Sequence, residues 1–146
     1  MRFQAALLSV CALVFVTALQ GAAQCGPKME KQIADVRSSW VKNWNDGQLD
    51  NVVNLYATHA DLLAADGSRA TGQVEIRTSL GKLIGSKVEV RSLADACSDA
   101  FAYDNGTYQQ TANGQSVEGN YLVVLFWKDG KWVIVQHAST AKRQPN

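Results

Sequence analysis

Two stretches leave few folds open to this chain: WVKNWNDGQLDNVVNLYATHADLLAADGSRATGQVEIR, from Trp40 to Arg77, and the closing hairpin VVLFWKDGKWVIVQHAST. The first prescribes a helix, an Asp-Gly-type break, a short second helix, an apolar strand, a turn and a third helix, after which everything reads as β. That order predicts an α+β arrangement with helices laid against a curved antiparallel sheet. Met29, Ile33, Val36, Trp40 and Trp44 recur every three or four residues, one stripe of a helix from Lys28 to Asp46 that stops at Gly47. Asp50 is placed to cap a short helix carrying Val52, Val53, Leu55 and Tyr56. Residues Asp61 to Ala65 then read as a strand closed by the turn Asp66-Gly67. A third helix follows Gly72, with Glu75 in its first turn and Val74, Leu80, Leu83 and Ile84 as apolar contacts.

From Lys87 onward the period shortens to two. Val88 and Val90 alternate with charged residues, Ala100 to Thr111 is strand-like, Asn113-Gly114 marks a tight turn, and Tyr121 to Trp127 is nearly all apolar. Asn105-Gly106 predicts a bulge that bends one long strand. Asp129-Gly130 is a strong two-residue hairpin signal, so it also predicts a register. Lys128 should face Lys131, and counting outward pairs Trp127 with Trp132, Phe126 with Val133, Leu125 with Ile134, Val124 with Val135 and Leu122 with His137. One face then carries Trp127, Trp132, Leu125, Ile134, Val123 and Tyr121; the other carries Phe126, Val133, Val124, Val135, Leu122, His137 and Ser139. Both faces are apolar and both need cover, one from helices or a partner chain and the other from a core or cavity.

Residues 1–23 combine Arg2, an apolar run from Ala5 to Leu19 and the small residues Gly21, Ala22 and Ala23, the pattern of a cleaved export signal. The run is shorter than the roughly 20 residues a bilayer requires, and no basic cluster follows it, so no membrane association is expected after cleavage. Gln24 before Cys25 argues against a lipid anchor. A secreted or periplasmic protein is expected, with residues 24–146 as its single domain. Arg2 is the signal's only charged residue, so its removal takes the net charge from +1 to zero, which gives no support to nucleic-acid binding. Cys11 departs with the signal, leaving Cys25 and Cys97 to pair in an oxidising compartment; Cys97 as a small buried apolar side chain is the other reading. Two histidines without clustered carboxylates or cysteines make a metal site improbable, and no cofactor is expected. Asn105-Gly106-Thr107 matches a glycosylation sequon, relevant only in a eukaryotic secretory pathway.

The order NDGQLDNVVNLYATHADL, DGSRATGQVEIR and FWKDGKWVIVQHAS resembles the SnoaL-like and ketosteroid-isomerase-like branch of the nuclear-transport-factor-2-like superfamily over nearly the whole mature chain. The resemblance implies three N-terminal helices packed on a strongly curved antiparallel sheet, a cone whose mouth opens on an apolar pocket, and a homodimer. In ketosteroid isomerases a tyrosine, a base carboxylate and a protonated carboxylic acid do the work. Laid on that pattern, these positions fall on Trp40, Ala64 and Leu122, so no ketosteroid isomerase activity is expected. The pocket would be walled by Trp40, Trp44, Tyr56, Leu122, Val124, Phe126, Val133, Val135, His137 and Ser139.

His137 is the best remaining candidate for acid or base chemistry, with Ser139 its same-face neighbour. Against this stands a histidine that satisfies the pocket wall or orients a ligand. Asp61 and Asp66 flank the short strand as further candidate bases, although Asp66 is first explained by its turn. Glu118, Asn120 and Tyr121 are candidate ligand contacts near the open end of the hairpin, and His59 reads as a solvated turn residue. Three functions follow: a binder of a small, largely apolar molecule; a SnoaL-like lyase, cyclase or isomerase using His137; and an interaction module whose cone is filled by its own side chains.

Overall fold

A computed structural model describes residues 26–142. The expected signal, Cys25 and the last four residues lie outside these. Helix α1 spans Pro27–Asn45 and α2 spans Leu49–Val53; strands β1 (Tyr56–Leu63) and β2 (Arg69–Thr71) precede α3 (Gly72–Gly81). Strands β3 (Lys87–Cys97), β4 (Phe101–Ala112), β5 (Gln115–Lys128) and β6 (Lys131–Ala141) complete a six-stranded sheet in the order β2-β1-β6-β5-β4-β3. Every pairing is antiparallel except β1 with β6. No described helix is long and apolar enough to cross a membrane.

The α1 stripe is laid against the sheet, where Ile33 and Trp44 join Tyr56, Leu62, Ile76, Leu125, Trp132 and Ile134 in one core. Asn45 fixes the helix end to β3 by a reciprocal pair, its Nδ2 donating to the Val88 carbonyl at 2.9 Å and its Oδ1 accepting the Val88 N–H at 2.8 Å. The chain leaves α2 sooner than expected, because the Leu55 carbonyl accepts the Ile134 N–H at 2.8 Å and draws the backbone into the sheet. Tyr56 therefore opens β1 instead of closing a helix. On α3 the buried positions are Ile76 and Leu80, four apart; Val74, two residues before Ile76, turns to the far side and is 80% exposed. Leu83, expected as an apolar contact, is 50% exposed and lines the edge of an inner cavity.

The register shifts in three of the pairings among the described residues, and on β1 the shift against β6 falls between Tyr56 and Asp61. On β3 the register slips between Ser92 and Ala94, so Leu93 is the extra residue, opposite Asn105 and Gly106 of β4. The irregularity expected on β4 therefore lies on its neighbour. On β6 the slip falls between the pairs Leu125↔Ile134 and Val124↔Gln136, which makes Val135 the extra residue. Beyond it His137 faces Val123 and Ser139 faces Tyr121, in place of the expected pairing of His137 with Leu122.

Candidate functional site

That single extra residue decides what the site contains. Paired residues share a face, so His137 and Ser139 join Tyr121, Val123, Leu125 and Ile134 on the inner surface of the sheet. With α1 and the end of α3 they surround a cavity of about 120 Å³. One water molecule needs roughly 10–15 Å³ on this measure, so there is room for much more than water. Trp40, Trp44, Val36, Val88, Val90 and Leu80 add apolar wall, and Ser79, Tyr108 and Gln110 add polar groups to it. Leu122, Val124, Phe126, Val133 and Val135, expected in the pocket, are not in the wall, because the uninterrupted register assigned them the wrong face. Leu122 is 44% exposed on the outside.

His137 is held by a chain of donors. Trp40 Nε1–H donates to the Tyr56 hydroxyl oxygen at 3.0 Å, and Tyr56 Oη lies 2.7 Å from His137 Nδ1. An indole nitrogen can only donate, so Tyr56 accepts there, and its own proton needs an acceptor because the side chain is 1% exposed. His137 Nδ1 is the acceptor within reach, so Nδ1 carries no proton and the neutral imidazole keeps its proton on Nε2. Burial holds the His137 pKa down, to about 4, in keeping with that neutral form, and burial likewise raises the Tyr56 pKa, which keeps the hydroxyl protonated. No group among the described residues pairs with Nε2, yet no buried side-chain nitrogen or oxygen among them lacks a partner. Nε2–H is therefore open to the cavity.

The second polar feature was not anticipated. Asp104, 1% exposed, accepts from Arg37 Nη1 at 2.8 Å, from Ser92 Oγ at 2.6 Å and from Tyr121 Oη at 3.1 Å. Burial opposes the Arg37 charge, but the hydrogen bond and charge of Asp104 outweigh it and raise the guanidinium pKa. Burial, then the charge of Asp104, raises the Tyr121 pKa. Asp104 is the only carboxylate in the cavity wall among the described residues, and its oxygens are committed to these three donors. A signal for this cluster existed in the sequence: Arg37 sits on the α1 stripe four residues after Ile33 and three before Trp40, where a charge requires a buried partner.

The other candidates lie apart. Asp61 accepts from Thr71 Oγ1 at 2.8 Å and pairs with Arg69 at 3.2 Å, and these contacts lower its pKa. Asp66 accepts the Ser68 N–H at 2.9 Å within its turn, which lowers its pKa too. Neither enters the cavity wall, and as fully ionised surface carboxylates they are unsuited to act as bases there. His59 and Glu118 are exposed, and Asn120 faces outward. Ala64 lines the cavity and offers no base. Tyr56 stands behind His137 and supports it. Cys97 is disulfide-bonded, and its partner lies outside the described residues, as does the expected partner Cys25; its sulfur is 3.7 Å from that of Met29. No group of three or more potential metal ligands occurs among the described residues.

No family model matches the sequence, and no curated protein matches it. Solved structures do. A protein of unknown function from Shewanella oneidensis, described as nuclear-transport-factor-2-like, is 18% identical with a TM-score of 0.69 over 77% of this chain and 98% of its own. A ketosteroid isomerase-like protein from Erwinia carotovora atroseptica is 12% identical with a TM-score of 0.71, over 82% of this chain and all (100%) of its own. A domain of unknown function from Nostoc punctiforme with a cystatin-like fold is 17% identical at a TM-score of 0.72, over 82% of this chain and 81% of its own. The chain has the nuclear-transport-factor-2-like fold. Likeness at these identities extends to architecture and no further.

Proposed function

We propose that this is an exported protein of the SnoaL-like and ketosteroid-isomerase-like branch that binds a small, largely apolar molecule in the inner cavity and catalyses no ketosteroid isomerisation. The observation that carries the reading is the unfilled space itself. Interiors are packed to crystal density, and a void among Trp40, Trp44, Val123 and Leu125 forfeits dispersion contacts that a ligand would restore. An interaction module with a filled cone has no use for it. Acid catalysis by His137 would need a protonated imidazole, which burial opposes at neutral pH. Proton abstraction would need a free base, and the wall offers Ala64 where an isomerase keeps its carboxylate, while Asp104 is already bound.

The same reading includes a homodimer formed through the outer sheet face. Outward positions Phe101, Tyr103, Asn105 and Thr107 of β4 lie beside Phe126, Val124, Leu122 and Asn120 of β5. None is charged. A two-fold contact sets the same patch against itself, so a patch of one charge would repel its copy, and an uncharged apolar strip suits self-pairing.

Native mass spectrometry of protein recovered from its own exported compartment tests these claims together. The expected species is a dimer of chains beginning near residue 24, carrying a small molecule that leaves on denaturation. Recombinant protein should bind ethylbenzene, followed by Trp40 and Trp44 emission, and Val123→Trp should abolish that binding by filling the space. A wild-type protein that recovers no ligand and does not bind ethylbenzene would overturn the binder reading. Turnover of a conjugating steroid would overturn the exclusion of isomerase activity.

A further inference from the structure

Among the polar hydrogens of the cavity wall, which include the rotatable hydroxyls of Ser79, Tyr108 and Ser139, the one on His137 Nε2 has its direction fixed by the hydrogen bonds behind it. Trp40 donates to Tyr56 and Tyr56 donates to His137 Nδ1, so the order of donation runs one way and ends on His137 Nε2–H. Trp40 cannot accept, and Tyr56 Oη meets no other acceptor among the described residues, so the order cannot be reversed. Hydrogen bonds in series polarise one another, which makes the terminal N–H a better donor than an isolated imidazole. Ring contacts hold it in place: Trp40 meets His137 edge-on at 5.8 Å between centroids, and Tyr56 lies nearly parallel to it at 6.1 Å. The neighbouring charges, Arg37 and Asp104, neutralise each other at 2.8 Å.

Resting on the binder reading above, we infer that the cavity selects a neutral, largely apolar molecule carrying a hydrogen-bond acceptor, of the ketone, aldehyde, ester or ether class, and that His137 Nε2–H donates to that oxygen. A cationic ligand would bring a like charge towards Arg37 and a donor towards a donor. An anion would leave its hydration for a wall whose net charge is zero. A ligand with no acceptor would cover Nε2–H and leave it unpaired, which costs more than an absent bond. A neutral acceptor avoids all three.

The test compares acetophenone with ethylbenzene, which resemble each other in size and differ in the carbonyl, and adds benzoate for charge. Each is titrated against the mature protein and its variants by tryptophan emission. The ratio of acetophenone to ethylbenzene affinity is read, so that each probe's own cost of leaving water cancels between proteins. His137→Leu should lower this ratio about five- to tenfold, the range of one hydrogen bond. Tyr56→Phe, which keeps the imidazole and removes only its orienting hydroxyl, should lower it about two- to fivefold, and His137→Gln, which keeps a donor, should restore part of it. Nitrogen-15 NMR of the wild-type imidazole should show a bare Nδ1 and a protonated Nε2, with His59→Gln identifying the signals. Ratios that do not move in any variant would overturn the inference while leaving the binder reading intact. Benzoate binding as tightly as acetophenone would overturn the neutral class. Failure of every probe to bind the wild type would overturn both readings.

Discussion

His137 is uncharged in the folded protein because its ring is enclosed by Trp40, Tyr56 and the apolar wall, where an imidazolium would lose its hydration and meet a hydroxyl that already donates to it. Its folded pKa of about 4 lies below the 6.5 of a free side chain. Between those values the unfolded chain binds a proton that the folded chain does not, so stability rises with pH across the window. Acidification from pH 7 should therefore begin to destabilise the protein near pH 6.5 and stop drawing on this group below pH 4, for a loss of about 1–3 kcal/mol. Urea denaturation followed from pH 7 to pH 4 checks it: His137→Gln should remove this part of the slope, and His59→Gln should keep it. A wild-type slope that survives His137→Gln would assign the effect elsewhere. Asp61 and Asp66, with lowered pKa values, hold their own contributions until lower pH, when their carboxylates protonate. Arg37 and Asp104 answer a different need. A carboxylate at 1% exposure is tolerable because Arg37, Ser92 and Tyr121 satisfy it, and the Arg37 that disturbs the α1 stripe is the price of that arrangement.

Strand bends separate what could be read from the sequence from what could not. Turn chemistry is local, so Asp129-Gly130 predicted the hairpin and its first four pairs correctly, from Lys128↔Lys131 to Leu125↔Ile134. The bulge at Val135 has no such mark: valine between Ile134 and Gln136 looks like any strand residue. Its omission exchanged the two faces for every residue beyond it, yet His137 and Ser139 still reached the cavity, because an error in assigning the inner face and an error in register cancelled there. The bend opposite Leu93 was better signposted. A Cβ on Gly106 would overlap the Arg91 carbonyl oxygen, so glycine is what lets β3 approach β4 at the bulge. Gly106→Ala should cost about 2–4 kcal/mol, since backbone and not a flexible side chain must move, whereas alanine at Gly26, where a Cβ meets nothing, should cost little. Urea midpoints decide it, and equal stability of the two variants would remove Gly106 from the account of the bend.

At the scale of the whole molecule, one sheet serves two apolar surfaces, and a single residue tells them apart. The helix order and the α1 stripe were legible because amphipathic periodicity reports which side of a helix meets the core. A strand that is apolar on both faces carries no such report, so Leu122 was as plausible inside the cavity as outside it. Its place in the fold, 44% exposed and beside Asn105 on the outer strip, makes Leu122→Lys a discriminating change. Inside a cavity a lysine would abolish ligand binding. Outside, it should leave ethylbenzene affinity within about twofold of wild type while setting like charges against each other across a two-fold contact, weakening dimerisation about tenfold or more. Sedimentation equilibrium and the emission titration, run on the same sample, report the two faces separately. Loss of binding with an intact dimer would return Leu122 to the cavity and restore the uninterrupted register; loss of neither would leave the outer strip to some other partner.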